Sequence, residues 1–166
     1  MFAKWNVSKR IVVSATLAVV VVMLVTTLVQ FALMSRDADR VLRERNADLA
    51  VALETTANAA CVGMHLDSIK TAFERTAAIP TVKRAFLADA QGKISQSSDK
   101  DADKGAADAA DVAAATKSKE DVHVYRKAGG RAYMATLSPM IADDTCKNCH
   151  ENMAAGSVGG FIGVDR

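Results

Sequence analysis

Residues 11 to 34 run for 24 positions without a charged side chain, and no other stretch restricts the fold of this chain as strongly. At about 1.5 Å per residue, a helix over this run is about 36 Å long, enough to cross a hydrocarbon core of about 30 Å. Ser14, Thr16, Thr26, Thr27 and Gln30 fit such a helix, because hydroxyl side chains can bond back to its own carbonyls. The alternative is a cleavable signal peptide. It would have a shorter apolar region and an A-x-A cleavage site, and no such site precedes Ser35. Lys4, Lys9 and Arg10 precede the run, and no acidic residue occurs before Asp37. Basic residues on that side place the N-terminus in the cytoplasm and the remainder outside. The expected organisation is a cytoplasmic stub over 1–10, a transmembrane helix over 11–34, a long signalling or dimerisation helix over 35–80, and a domain over 81–166.

Charge excludes one class of partner. Of 21 basic residues three lie ahead of the apolar run, which leaves 18 against 19 acidic residues beyond it. No basic stripe is present to track phosphates, so nucleic acid is not an expected partner.

Near the C-terminus Cys146-Lys147-Asn148-Cys149-His150 reads C-x-x-C-H. This spacing is the attachment signature of c-type haem. Two thiols must reach two vinyl groups of one porphyrin, and the following His then lies under the ring to ligate the iron. Structural zinc normally needs four ligands in paired spacings. The remaining Cys61, His65 and His123 supply no C-x-x-C or H-x₃₋₅-H pair. A thioredoxin-type site has no use for the His. The chain is therefore expected to carry one covalent haem c on Cys146 and Cys149, with His150 as proximal iron ligand. Thioether formation belongs to the bacterial periplasm, which agrees with the topology. The expected location is the bacterial inner membrane, single-pass, with the C-terminal domain periplasmic. Cys61 is left as an odd thiol.

Between anchor and motif, Asp37 to about Ala78 reads as one long helix stopped by Pro80. Leu42, Leu49, Leu53, Ala57, Ala60 and Met64 form an apolar stripe on it. The stripe is either a homodimer seam or a face packed on the chain's own domain. Residues 82–89 and 93–97 read as strands about Gln91-Gly92, and 122–126 and 131–138 as a hairpin about Gly129-Gly130, with Pro139 closing it. Residues 99–120 are either a surface helix with a flexible lead-in or a solvated connector. Residues 157–164 read as a last strand, whose glycines leave room for the porphyrin or make ordinary turns. The fold class is α+β: a transmembrane helix continuing into a long helix, then an antiparallel sheet bearing the C-x-x-C-H site.

Three stretches carry a resemblance. "MFAKWNVSKRIVV" resembles the start of bacterial chemoreceptors. "FLADAQGKISQSS" resembles the first hairpin of extracytoplasmic PAS-like and Cache-like sensor domains. "LSPMIADDTCKNCHENMAAGSVGGFIGV" is similar to the periplasmic haem c PAS-like sensor domains of chemoreceptors, and to related small haem c PAS-like proteins formerly catalogued as a domain of unknown function. There a strand ends in Pro, C-x-x-C-H follows and a Gly-rich strand completes a PAS-like sheet. The resemblance implies a sensor input domain for redox poise or a diatomic gas. A chemoreceptor would continue into a second membrane helix and a cytoplasmic coiled coil, so the chain is expected to be either a stand-alone protein or a piece of a longer receptor.

The alternative is a membrane-tethered monohaem cytochrome c that transfers electrons to a redox partner. An enzyme is not expected: no paired carboxylates, nucleophile elbow or phosphate loop is present. For the sixth iron ligand the candidates are Cys61, Met64, His65, His123, Met134, Met140 and Met153. Cys61, Met64 and His65 stand at i, i+3 and i+4, one face of a helix. The resemblance, in which the long helix of either chain supplies the distal ligand, favours Met64 first, with Cys61 and His65 as alternatives.

Overall fold

The structure, a computed structural model, describes residues 7–63, 66–99, 105–144, 146 and 153–166, without the side chains of 8–10, 61, 62 and 66. The chain divides into two units, Met1–Val41 and Leu42–Arg166.

The first unit consists of the opening part of helix α1 (Val7–Val62). This N-terminal helix is long and apolar enough to span a membrane, and its apolar stretch is not buried within the chain. Its polar side chains are turned inward on the backbone. Thr16 Oγ1 donates to the Val12 carbonyl at 2.8 Å and Thr27 Oγ1 to the Met23 carbonyl at 2.8 Å; Ser14, Thr26 and Ser35 do the same three or four residues back. Each of these hydroxyl groups is thus satisfied within the helix itself.

The second unit is a five-stranded antiparallel sheet with helices on both faces. Its strands are β1 (Arg84–Asp89), β2 (Ile94–Ser97), β3 (Val122–Ala128), β4 (Arg131–Ile141) and β5 (Val158–Asp165), in the order β2-β1-β5-β4-β3. The last strand therefore closes the sheet at its centre, which explains its burial: Phe161, Ile162 and Val164 are all buried. Two tight turns set the hairpins. Asp89 Oδ1 accepts from Gln91 N and Lys93 N to shape the first. Gly129 and Gly130, both at positive φ, make the second, as a two-residue hairpin turn demands.

Side chains alternate between two cores. On one face α1 and helix α2 (Leu66–Ala77) bury Ala50, Leu53, Ala60, Ile69 and Phe73 against Ala85, Ile162 and Val164. On the other, helix α3 (Ala109–Ser118) packs Ala115 against Phe86, Ala88, Leu137 and Phe161. Asp108 caps α3, accepting from the backbone N–H of Ala110 and Asp111, which fixes where this Ala-rich helix starts. Of the two readings of 99–120, the helix is correct.

Two expectations need correction. The single helix over 35–80 is two: α1 ends at Val62, and α2 begins at Leu66. Gly63, the poorest helix former after proline, stands at the break, and Asp67 enriches the first turn of α2 in negative charge. Pro139 does not close β4, which continues to Ile141. Met134 exchanges both backbone hydrogen bonds with Arg166, so even-numbered residues of β4 bond toward β5 and odd-numbered ones toward β3. The missing N–H of Pro139 thus faces a flank where β3, which starts at Val122 opposite Leu137, has no residue to pair with it. The apolar stripe of α1, finally, is turned inward. Leu53, Ala57 and Ala60 are buried within one chain, while Val41, Val51 and Thr55 are exposed.

Candidate functional site

The motif sits on the connection between β4 and β5. Ala142 N–H donates to the Ser157 carbonyl at 2.9 Å and Gly156 N–H to the Ala142 carbonyl at 2.7 Å, so this connection is pinched shut at its base. Ser157 Oγ donates to the Ala154 carbonyl at 2.6 Å, and Lys119 Nζ reaches the Gly156 carbonyl at 2.7 Å from α3's C-terminal cap. Ala142, Gly156 and Ser157 are thereby held together at the base of this connection.

Cys146 opens the motif in a turn. Its N–H donates to both the backbone carbonyl and the side-chain Oδ1 of Asp143, at 3.3 and 3.2 Å. The thiol is free and half-exposed. Cys149 and His150 lie outside the described residues, as do Met64 and His65; of Cys61 only the backbone, in α1, is described. Among the described residues no group of three His, Cys, Asp or Glu is placed to hold a metal ion.

The direction of α1 relates the distal candidates to the motif. Asn46 on α1 bonds Thr136 on β4. Eight residues further, Glu54 senses the charge of Asp121, which adjoins Val122, the partner of Leu137. Met140 packs against the cluster that holds Leu53 and Ala60. Helix and strand therefore run in the same direction. From Asn46 to Val62 the helix advances about 24 Å, and from Thr136 to Ile141 the strand advances about 17 Å. The end of α1 and the start of the motif loop thus leave the sheet at one end.

The other iron-ligand candidates are occupied elsewhere. Met134 is 1% exposed in the core. His123 Nδ1 stands 3.0 Å from Thr136 Oγ1. Met153 fills the space left by Gly159: a Cβ there would meet its Sδ at 2.9 Å. Gly163 similarly leaves room for the Phe86 ring, which a Cβ would meet at 2.0 Å. Gly159 and Gly163 of β5 thus stand in a strand, against protein neighbours.

One polar group was missed by sequence reasoning. Asn46, fully buried, Thr136 and half-buried His123 form a hydrogen-bonded chain between α1 and β3–β4. Burial pushes the His123 pKa below its usual value, with Asp121 opposing and Arg43 adding to the effect. Only the interruption of the helix's apolar face by Asn46 hinted at it.

No protein-family model matches the chain, and no curated protein matches it.

Proposed function

We propose that the chain is a membrane-anchored c-type haem protein of the bacterial periplasm, acting as a sensor input domain for redox poise or a diatomic gas. The observation that carries this reading is that α1 packs on the same sheet whose β4–β5 connection bears C-x-x-C-H, with the helix end and the start of that connection at one end of the sheet. A local change at the motif then has a short route to the helix that leads to the anchor. To act as a switch, ligand binding must favour one packing of α1 by a few kcal/mol.

The residues present fit the group. The thiol of Cys146 is free and half-buried, and it belongs to neither hydrophobic core. Cys146 and Cys149 would hold the haem as thioethers, and His150 would supply the proximal imidazole. When bound, the group supplies an iron centre that changes oxidation state or takes a diatomic ligand. The Asp143 carboxyl holds the backbone of Cys146 in its turn, and Ala142 and Ser157 are bonded to each other at the base of the connection. The order of strands also supports the reading: an opening hairpin, a strand containing Pro139, the motif, and a Gly-rich strand that completes the sheet.

The test has two steps. The full chain, made in cells with a working c-type maturation system, should keep haem stain on a denaturing gel. The reduced protein should then bind CO or NO in an optical titration. A band without stain removes the haem. A stained protein inert to both gases, with a well-defined potential, makes it a tethered electron carrier.

A further inference from the structure

The side chains that join α1 to β4 and β3 form a chain in which a single hydrogen sets the direction. Thr136 Oγ1 accepts from Asn46 Nδ2 at 2.9 Å and stands 3.0 Å from His123 Nδ1. Register places His123 directly opposite Thr136 on the neighbouring strand. Asn46 and Thr136 are both buried, so bulk water does not replace a missing partner between them. A hydroxyl group carries one hydrogen, and an amide N–H only donates. Thr136 is therefore the acceptor toward Asn46 and keeps its hydrogen for the imidazole. Nδ1 of neutral His123 accepts it, and the ring's own hydrogen sits on Nε2. The neutral chain runs from Asn46 to Thr136 to His123.

A proton on His123 removes that acceptor. Both ring nitrogens of an imidazolium donate. Nδ1 then gives its hydrogen to Thr136, and the Thr136 hydrogen needs a new acceptor. Asn46 holds one: its Oδ1 is buried and has no hydrogen-bond partner among the described residues. The last torsion of an Asn side chain is broad and roughly two-fold, so the amide can turn over and exchange Oδ1 with Nδ2. Thr136 then donates to Oδ1, and the chain runs from His123 to Thr136 to Asn46.

We propose that His123 is a pH sensor: its protonation reverses this hydrogen-bond chain and turns the Asn46 amide over, so that α1, the helix that carries the apolar run, registers proton uptake at β3. This input is separate from the haem reading, since no residue of C-x-x-C-H takes part in it. The groups facing the ring set its range. Burial disfavours the proton most, Asp121 ahead of β3 favours it, and Arg43 on α1 disfavours it. Glu54, also on α1, acts on Asp121. Tyr125 and Lys127 follow His123 on its own face of β3, and β4 contributes Thr136, which does not titrate. Burial wins, so the reversal belongs to mildly acid solution, below 6.5.

Heteronuclear NMR of the full isotope-labelled chain in detergent, from neutral pH down to about pH 5, tests this. The ring nitrogen shifts of neutral His123 should show the Nε2–H tautomer. The side-chain amide signal of Asn46 should move with the His123 midpoint, and its cross-peak to the Thr136 methyl group should be lost as His123 protonates. His123→Gln removes the titrating group and should hold the Asn46 signal constant over the same range. Thr136→Val removes the relay, so His123 should still titrate while Asn46 no longer follows it. The wild-type measurements stand even where a variant fails to fold. An Nδ1–H tautomer at neutral pH would overturn the proposal, since His123 would then donate in both states. So would an Asn46 signal that stays flat through the His123 midpoint, one that still moves in His123→Gln or Thr136→Val, or a His123 that stays neutral until the chain unfolds.

Discussion

The side-chain amide of Asn46 donates to the hydroxyl of Thr136 across 2.9 Å, joining residues 90 positions apart in the chain. Both are buried, and this bond ties α1 to the middle of β4. Asn46 Oδ1 and the nearby Ser138 Oγ are buried without a hydrogen-bond partner among the described residues. The contact is therefore specific in register yet incompletely satisfied. Thr136→Val removes the acceptor and strands the whole Asn46 amide, which should cost about 1–3 kcal/mol. Asn46→Leu combined with Thr136→Val should recover the share of that loss due to the stranded amide, while His123 still lacks its partner on Thr136. Denaturant midpoints of the two variants and the wild type measure this. A double variant no more stable than the single one would show that the bond is not what holds α1.

His123 completes the same chain and makes it sensitive to acid. Burial lowers its folded pKa below the usual 6.5. In the window just below 6.5 the unfolded chain then binds more protons than the folded one. Stability is thus complete above 6.5 and declines as pH falls from there toward the folded value. Glu54, on the neighbouring surface of α1, behaves oppositely. Burial, with Asp121 in addition, raises its pKa above the usual 4.5, so its contribution favours the folded state at low pH and is lost as pH rises through the folded value. An NMR titration of His123 should give a midpoint below 6.5, and His123→Gln should flatten the decline on the acid side. Glu54→Gln should remove the loss that sets in above 4.5. A His123 midpoint above 6.5 would mean that Asp121, not burial, governs the site.

Gly163 and Gly159 look equivalent in the sequence and should behave differently. At Gly163 a Cβ collides with the Phe86 ring, held between the sheet and α3, so Gly163→Ala should destabilise by about 1–3 kcal/mol, as overpacking does. Adding Phe86→Leu should relieve part of it. At Gly159 the obstacle is the end of the Met153 side chain, which is flexible. Gly159→Ala should leave the melting temperature close to wild type. Equal losses at both positions would point to backbone entropy rather than to the ring.

The parts of the fold that were legible in the sequence are those with local causes. Gly129-Gly130 can only be a turn of positive φ, and the apolar run over 11–34 can only be a long helix. What the sequence hid depends on distant partners. Periodicity along α1 identified Leu53, Ala57 and Ala60 as a buried face but could not say whether a second copy or the chain's own sheet covers it. Pro139 stops a strand by local rules; that it does not do so here depends on where β3 begins. The break at Gly63 was masked because Met64 continued the apolar spacing. At the motif, Cys146 was legible from spacing alone, whereas the Asn46–Thr136–His123 chain needed the packing of α1 on β4 and the register of β3 beside it.

The inward turn of the stripe restricts how two copies could pair through α1. Leu49, Ala50 and Leu53 face the chain's own sheet, so pairing must use the opposite face, where Val41, Asp48, Val51 and Thr55 are exposed. Single cysteines scanned across 41 to 56 should cross-link with a helical period that peaks at 48, 51 and 55. Peaks at 46, 50 and 53 instead would require α1 to leave its own sheet and pack on a second copy.

The proposed haem needs a sixth iron ligand, and the described side chains bear on four of the seven candidates. Met134 is enclosed in the core, Met140 packs beside Ala60's cluster, Met153 lies against Gly159 and His123 is bonded to Thr136. To ligate an iron at the motif, each would have to abandon a contact worth on the order of 1 kcal/mol or more. Cys61 stands in the last turn of α1, while Met64 and His65 lie outside the described residues. Met64 is the first choice, and its thioether would favour reduced iron and a higher potential; His65 would give a bis-imidazole site, and a Cys61 thiolate would favour oxidised iron. Spectra of the haem-loaded protein should therefore change spin state in Met64→Ala, or else in His65→Ala or Cys61→Ala. His123→Gln, Met134→Leu and Met140→Leu should leave the spectrum alone. If one of these last three changes it while the first three do not, α1 does not ligate the iron. The motif then acts on that helix only through packing.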